Sequence, residues 1–328
     1  MKICVYGAGA VGGHIAGRLA AGQAEVSLIA RGEQLAAIRQ HGLRVQTRDG
    51  ELVSHPVATD RPGDLEPQDI VIVAVKAPAL PAIAEHVGSL LHQDSLVLFV
   101  TNGIPWWYFH SHGGALDGTH LGRLDPGRAL WDHIGPERAA GAVAYTACTV
   151  IAPGVVRAGN PRNRLIIGRP DGRPDDRLDT LASLVNPSGL EVTVTDKIRD
   201  AIWAKLLMNL IGGSLGVLSA SPMKDVLDKP AVAGTAKAMA AEGAAIARAL
   251  GCDPGDPYEG LSKLATSSHL QSIAQDLQAG RPMEIDAMFR VPLDLAELAQ
   301  VPTPNLDLMI ELATQCARAA GQYHDTSR

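Results

Sequence analysis

The sequence predicts an α/β chain in two parts: an N-terminal doubly wound parallel sheet and an all-helical C-terminal part. Three observations predict it. Short apolar strand patterns alternate with helical patterns through the first half. A glycine-rich turn joins the first strand to the first helix. From Asp196 onward the periodicity is helical almost throughout, with breaks at 251–257, 280–282 and 302–304. The chain has 328 residues, and single cores stop growing near roughly 250–300. Two domains are therefore expected, 1–195 and 196–328.

Taken in order, KICVYG is an apolar strand and AVGGHIAGRLAA a helix rich in small residues. EVSLIAR reads as a second strand and GEQLAAIRQHG as a second helix. LRVQTR and ELVSHPVA, joined through Asp49-Gly50, read as a hairpin. DIVIVAVK is a near-continuous apolar run, the pattern of a strand covered on both faces. A helix over 79–91 leads to another such strand, SLVLFVTN. Residues 104–138 break the rhythm with frequent Pro, Gly and His and form an irregular insertion. Beyond it, GAVAYTACTVIAPGVVRAGN and RLIIGR read as strands, and a helix over LDTLASLVNPSG precedes the strand LEVTVT.

Composition narrows the function. The formal charge is -6, with both signs scattered and no basic stripe, so a nucleic-acid partner is not expected. The N-terminus does not read as a signal peptide, and no apolar run approaches the roughly 18 residues of a membrane span. Cys4, Cys148, Cys252 and Cys316 lie far apart without a CxxC pair, which suggests neither a zinc knuckle nor a disulfide framework. A cytoplasmic protein with buried or indifferent thiols is expected.

Gly7-Ala8-Gly9-Ala10-Val11-Gly12 is a GxGxxG that closes a strand and opens a helix. Gly7 permits the tight turn, Gly9 lets the backbone approach a pyrophosphate, and Gly12 allows close helix–strand packing. Ala10 and Val11 begin the helix whose free N–H groups face the phosphates. The expectation is a Rossmann-type dinucleotide site. The second strand ends in Arg31, where an NAD enzyme usually carries an acid for the ribose 2′-hydroxyl. Arg binds a 2′-phosphate through a charge-assisted pair, so NADP(H) is expected; the alternative is a solvated surface charge. Lys76 and Asn102 end two further strands at the carboxyl edge of the sheet, where open α/β folds bind ligands; the alternative for each is an ordinary strand-end polar residue, and two such ends beside the nucleotide favour the ligand reading.

In the helical part, Lys205 and Asn209 stand four apart, on one helical face, among Leu206, Leu207, Met208 and Leu210. A lysine desolvated there has a lowered pKa and donates a proton near neutral pH. The alternative is a lysine whose head snorkels to water. The stretch from Ser272 through Gln275-Asp276 to Gly280-Arg281-Pro282 and Glu284-Ile285-Asp286 ends one helix and begins another with acids. Alone, those acids are equally well helix-dipole partners.

Six motifs in order and spacing now resemble the ketopantoate reductase (2-dehydropantoate 2-reductase) family: GAGAVGG at 7–13, Ala30-Arg31, Val75-Lys76, Asn102-Gly103, Trp203-x-Lys205-x-x-x-Asn209, and Ser272-x-x-Gln275-Asp276-x-x-x-Gly280-Arg281-Pro282-x-Glu284-Ile285-Asp286. The resemblance covers nearly the whole chain. It implies NADPH-dependent reduction of a 2-keto acid to its 2-hydroxy acid, in a Rossmann domain followed by a helical domain with the active site between them. It implies Lys205 as general acid and Glu284 as the supporting acid. Asn102 is implied beside nicotinamide and substrate, Asn209 and Ser272 on the substrate, and Lys76 and Arg31 on the cofactor. A homodimer through the helical domain is a further expectation.

Two departures stand out. The family usually places a second substrate-binding Asn eight residues after the lysine, where this chain has Gly213. It also usually follows Asn-Gly with a short polar helix, where this chain has PWWYFHSHGG and a long loop. The chain holds 4 Trp, 5 Tyr and 3 Phe, and four of these stand side by side as Trp106–Phe109. They are expected to wall the substrate site or close over it; the alternative seats the insertion on the surface or on a partner subunit. His110, His112, His120 and His133 lack partners at ligand spacing, so no metal is expected. Two other functions compete: an opine- or 3-hydroxy-acid-type dehydrogenase, and a catalytically silent NADP(H) sensor. Arg31 with the 272–286 signature disfavours the first, and Lys205 with Glu284 disfavours the second.

Overall fold

The structure is a computed structural model that describes residues 1–160 and 162–325. The chain divides into two compact units. One comprises Met1–Thr101, Trp106–Leu121 and Asp125–Ile198; the other comprises Asn102–Pro105, Gly122–Leu124 and the chain from Arg199 onward.

The first unit is built on an eight-stranded sheet. Its strands are β1 (Ile3–Tyr6), β2 (Val26–Ile29), β5 (Val57–Thr59), β6 (Gln68–Val73), β7 (Leu91–Phe99), β8 (Ala139–Tyr145), β11 (Arg164–Gly168) and β12 (Glu191–Val194), in the spatial order β12-β11-β8-β7-β6-β1-β2-β5. A second, four-stranded sheet pairs the hairpin β3 (Leu43–Thr47) and β4 (Gly50–Ser54) with β9 (Cys148–Ala152) and β10 (Val155–Ala158), in the order β4-β3-β10-β9. The α-helices of this unit among the described residues are α1 (Ala10–Ala21), α2 (Gly32–His41), α3 (Leu80–Gly88), α4 (Ala129–His133) and α5 (Asp176–Val185).

The six strands from β5 to β8 are parallel, but β8 and β11 pair antiparallel. A sheet parallel throughout is therefore not what forms. After β8 the chain makes the β9–β10 hairpin and re-enters beside β8 without the crossover helix that parallel pairing requires. The crossover through α5 then restores a parallel β11–β12 pair.

Small residues on α1 let both sheets approach it. A Cβ on Gly12 would strike the Gly7 carbonyl oxygen and stand 3.0 Å from Ala74 Cβ, so this face lies against the main sheet. Gly13 and Gly17, one turn apart, face the second sheet, where a Cβ would meet Val156 at 2.8 Å and Val45 at 2.5 Å.

Trp106, Trp107, Tyr108 and Phe109 are all buried to 1% exposure or less. They belong to the core of the first unit, and the expectation that they wall or close a substrate site is overturned. The segment runs through turns, so successive side chains fan out inward instead of alternating between two faces as in a strand. Trp106 packs edge-on against Phe99 at the end of β7 and against Trp131 of α4, with ring centroids 5.5 and 6.2 Å apart. The Trp107 ring lies over Gly141 of β8, where a Cβ would be 2.7 Å from Cζ2. Tyr108 and Phe109 meet edge-on at 5.0 Å. The buried Asp125 carboxylate, which accepts from the Leu130 and Trp131 N–H groups at 2.8 and 3.1 Å, fixes the start of α4 and so the ring of Trp131.

The second unit is helical: α6 (Ile198–Ser219), α7 (Met223–Val226), α8 (Pro230–Ala249), α9 (Pro257–Ala265), α10 (Ser272–Gln278), α11 (Val291–Leu298) and α12 (Pro304–Ala319). Residues 286–290 form a π-turn that runs into α11. The expectation of no apolar run near span length does not hold for α6, which is long and apolar enough to cross a membrane. Its most apolar window, however, is 67% buried within the protein, as in the core helix of a bundle.

Candidate active site

In the first unit the glycine loop takes the form its sequence requires. Gly7 sits at φ +109°, a region open to glycine, and a Cβ there would meet Val75 Cγ1 at 2.8 Å. Residues 74–75 thus run directly against the loop, and Lys76 follows them, partly buried. By contrast, a Cβ on Gly9 would meet nothing within 4 Å. The first turn of α1 has no acidic residue and its N-cap makes no side-chain cap, so the helix itself leaves its positive end open to an anion. Open backbone at Gly9 beside a bare helix N-terminus fits the pyrophosphate of a dinucleotide. Gln34, which no sequence motif marks, holds the loop: its Nε2 donates to the Ala8 carbonyl at 2.7 Å and its Oε1 accepts from Gly154 N–H at 3.0 Å. Arg31 stands just past β2, exposed, at the N-terminal boundary of α2.

The second unit gathers the other polar residues. Lys205 Nζ donates to Asn102 Oδ1 at 2.8 Å, and Asn102 Nδ2 donates to Glu284 Oε2 at 3.1 Å. The amide thus turns its acceptor to the ammonium and its donor to the carboxylate, the one orientation in which both contacts are favourable. Glu284 is 7% exposed, and a carboxylate so buried needs partners of this kind. Burial pushes the Lys205 ammonium down from its ordinary 10.5 to about 8, against the pull of the Glu284 charge. An amine poised there remains protonated at neutral pH and gives its proton up readily.

Backbone geometry fixes this relay. Gly103 has φ +81°, and a Cβ on it would strike the Ala287 carbonyl and lie 2.8 Å from Met288 N. Ile104 N–H donates to the same Ala287 carbonyl at 2.8 Å. The Asn102–Ile104 strip is thereby seated on the segment that begins with Glu284 and continues as the π-turn, a distortion common at functional sites.

Asn209 lies one turn beyond Lys205 on α6, partly buried, and Ser272 is the exposed first residue of α10. Among the described residues neither makes a side-chain hydrogen bond, so neither joins the relay. Gly213 faces an apolar wall, since a Cβ there would stand 3.1 Å from Phe289 Cζ and 3.3 Å from Ile273 Cγ2. An Asn at this position would meet a phenyl ring and a methyl group, which accounts for the glycine.

Comparison with known proteins gives the lineage. The description "Ketopantoate reductase PanE/ApbA" matches residues 3–172, and its C-terminal counterpart matches residues 197–317. The chain belongs to the ketopantoate reductase family. A 2-dehydropantoate 2-reductase of Mesorhizobium japonicum is 38% identical over 98% of this chain and 100% of its own. A namesake from Halobacterium salinarum is 27% identical over 97% and 99%. Among solved structures, a candidate ketopantoate reductase from Ralstonia solanacearum MolK2 superposes with a TM-score of 0.90 at 34% identity, covering 98% of this chain and 99% of that one. The family is one of NAD(P)-dependent oxidoreductases, and this member carries that α/β and helical architecture.

Proposed function

We propose that this ketopantoate reductase family member reduces 2-dehydropantoate, or a closely related 2-keto acid, to the 2-hydroxy acid with NADPH. The observation that carries the reading is the Lys205–Asn102–Glu284 relay, a lowered-pKa proton donor held in line with a buried carboxylate. The 38% identity to a named 2-dehydropantoate 2-reductase supports the choice of substrate.

The residues around Gly9 and the start of α1 would hold the dinucleotide, with Lys76 following the strip against the loop. When bound, the reduced nicotinamide supplies a hydride to the keto carbon. As the carbonyl electron pair moves onto oxygen, Lys205 gives that oxygen a proton, leaving a hydroxyl on the product and a neutral amine on the enzyme. Solvent then reprotonates the lysine, aided by the negative charge of Glu284. Asn102 orients the lysine, and Asn209 and Ser272 offer hydrogen bonds to the keto acid.

Arg31 supports NADPH over NADH. It stands exposed beyond β2 with no acid in the equivalent place to repel a 2′-phosphate. A cytoplasmic enzyme, paired through its helical unit, belongs to the same reading.

The test is NADPH oxidation by the purified protein with ketopantoate and a panel of other 2-keto acids. Turnover of ketopantoate that disappears in Lys205→Ala is expected. Tight NADPH binding with no turnover on any keto acid would instead make the chain a sensor. Arg31→Ala should weaken NADPH far more than NADH; an equal loss for both would remove the 2′-phosphate role.

A further inference from the structure

Arg123 sits in the long insertion, in a stretch with no periodic signal, and the proposed chemistry does not use it. It belongs to the short segment Gly122–Leu124 that groups with the helical unit. Its guanidinium, 17% exposed, meets three carboxylates: Nε donates to Asp294 at 2.9 Å, and Nη1 lies 3.3 Å from Asp325 and 3.6 Å from Asp286. Tyr323 adds a fourth group, its hydroxyl donating to Asp286 Oδ1 at 2.7 Å. Arg318 contacts Asp325 at 3.4 Å and lies over the Tyr323 ring at 5.6 Å.

Asp286 is two residues past Glu284 and opens the π-turn whose Ala287 carbonyl accepts from Ile104. Asp294 lies one turn into α11, which continues that turn. One cation therefore gathers carboxylates from the start of the π-turn, from α11 and from the chain end after α12. Without it, Asp286, Asp294 and Asp325 lose the cation they share beside the turn that follows Glu284, and their mutual repulsion favours displacing that turn.

We infer that Arg123 is a positioning residue for the proton-donating site, clamping the π-turn through Asp286 so that Glu284 stays aligned with Asn102 and Lys205. The inference rests on the roles proposed above for Lys205 and Glu284. A π-turn is less regular than an α-helix, and an outside clamp is a physical means of holding it in one register. The insertion thus contributes to the site through Arg123, although its aromatic run does not.

The experiment compares the full-length protein with Arg123→Met, Arg123→Lys, Glu284→Gln and the Arg123→Met/Glu284→Gln double variant, measuring kcat, KM for ketopantoate, the NADPH Kd and the melting temperature. Displacement of the carboxylate by a fraction of an ångström should lower kcat in Arg123→Met by about tenfold, with the NADPH Kd unchanged. Arg123→Lys, which keeps the charge, should recover most of the loss. In the double variant kcat should fall no further than in Glu284→Gln alone, because the clamp acts through that carboxylate. Should Arg123→Met fail to fold, Tyr323→Phe, which removes only the hydroxyl on Asp286, should lower kcat in the same direction and again without addition to Glu284→Gln. Wild-type kcat in Arg123→Met or Tyr323→Phe, or a full second loss in the double variant, would overturn the inference while leaving the proposed chemistry intact. Wild-type turnover in Glu284→Gln itself would instead remove the site reading, and the inference with it.

Discussion

Gly103→Ala perturbs the site by a single methyl group, and its effect follows from the geometry. Gly103 lies at φ +81°, and its new Cβ would strike the Ala287 carbonyl with Met288 N only 2.8 Å away. These neighbours are backbone, so no rotamer change relieves the contact. The left-handed conformation costs an alanine about 1–2 kcal/mol. Retreat to ordinary contact needs a shift of about 1 Å, which breaks the Ile104–Ala287 hydrogen bond at about 1 kcal/mol more. The total, about 2–3 kcal/mol, corresponds to a fall of roughly 3–4 °C in the melting temperature of a chain this long. The same shift separates Asn102 from Glu284 and Lys205, and a misplacement of about 1 Å costs on the order of 100-fold in rate. The assay is thermal melting together with kcat for NADPH oxidation. Gly255→Ala serves as the control, since Gly255 has φ +75° but open space at its Cβ. It should show the backbone strain alone and keep wild-type kcat. If Gly103→Ala behaves like Gly255→Ala, the argument that the Asn102–Ile104 strip holds the relay is wrong.

Three further outcomes follow from the same geometry. Gly9→Ala should leave melting unchanged, because its Cβ enters open space, yet weaken NADPH binding markedly; Gly12→Ala should destabilise the fold itself, because its Cβ strikes Gly7. Equal behaviour of the two in melting and in dinucleotide titration would contradict the loop assignment. Trp107→Ala should cost about 3–5 kcal/mol with the keto-acid KM little changed, since the ring lies over Gly141 in the core; a large KM change with intact stability would restore a role for it at the substrate. Lys205 is held at about 8 in the fold against 10.5 ordinarily, so between those values the unfolded chain binds the extra proton. The cost of burying the ammonium, up to about 3 kcal/mol, is present below pH 8 and relieved as pH rises through that window. Melting curves of wild type relative to Lys205→Met should therefore converge or cross in favour of wild type from pH 8 to 10.5, and a flat difference would refute the lowered pKa.

The first unit is legible in the sequence because its signals are local. The strand–glycine–helix order at 3–21, the Asp49-Gly50 hairpin and the apolar run of β6 each follow from neighbouring residues. The antiparallel return of β11 is not legible, since nothing in 141–168 states that β9 and β10 leave for a second sheet. The run Trp106–Phe109 misleads for a similar reason. Four adjacent aromatics suit neither a helix face nor a strand face, and only the turns of the insertion let all four point inward. At the candidate site, the spacing of Lys205 and Asn209 is visible as one helical face. The contact of Asn102 with Glu284, 182 residues away, leaves no local trace, nor does the clamp of Arg123 on Asp286. Gly213 reads as a missing hydrogen-bonding residue until Phe289 and Ile273 are seen against it.

The measurement that bears most directly on Lys205 as the proton donor is the pH dependence of kcat for ketopantoate reduction, in wild type and in Lys205→Met. With the lysine at about 8, wild-type reduction should hold steady at neutral pH and fall above pH 8 as the ammonium loses its proton. Lys205→Met should be slow and should lack that descending limb. A descending limb that persists unchanged in Lys205→Met, or a variant as fast as wild type, would show that the proton comes from another group.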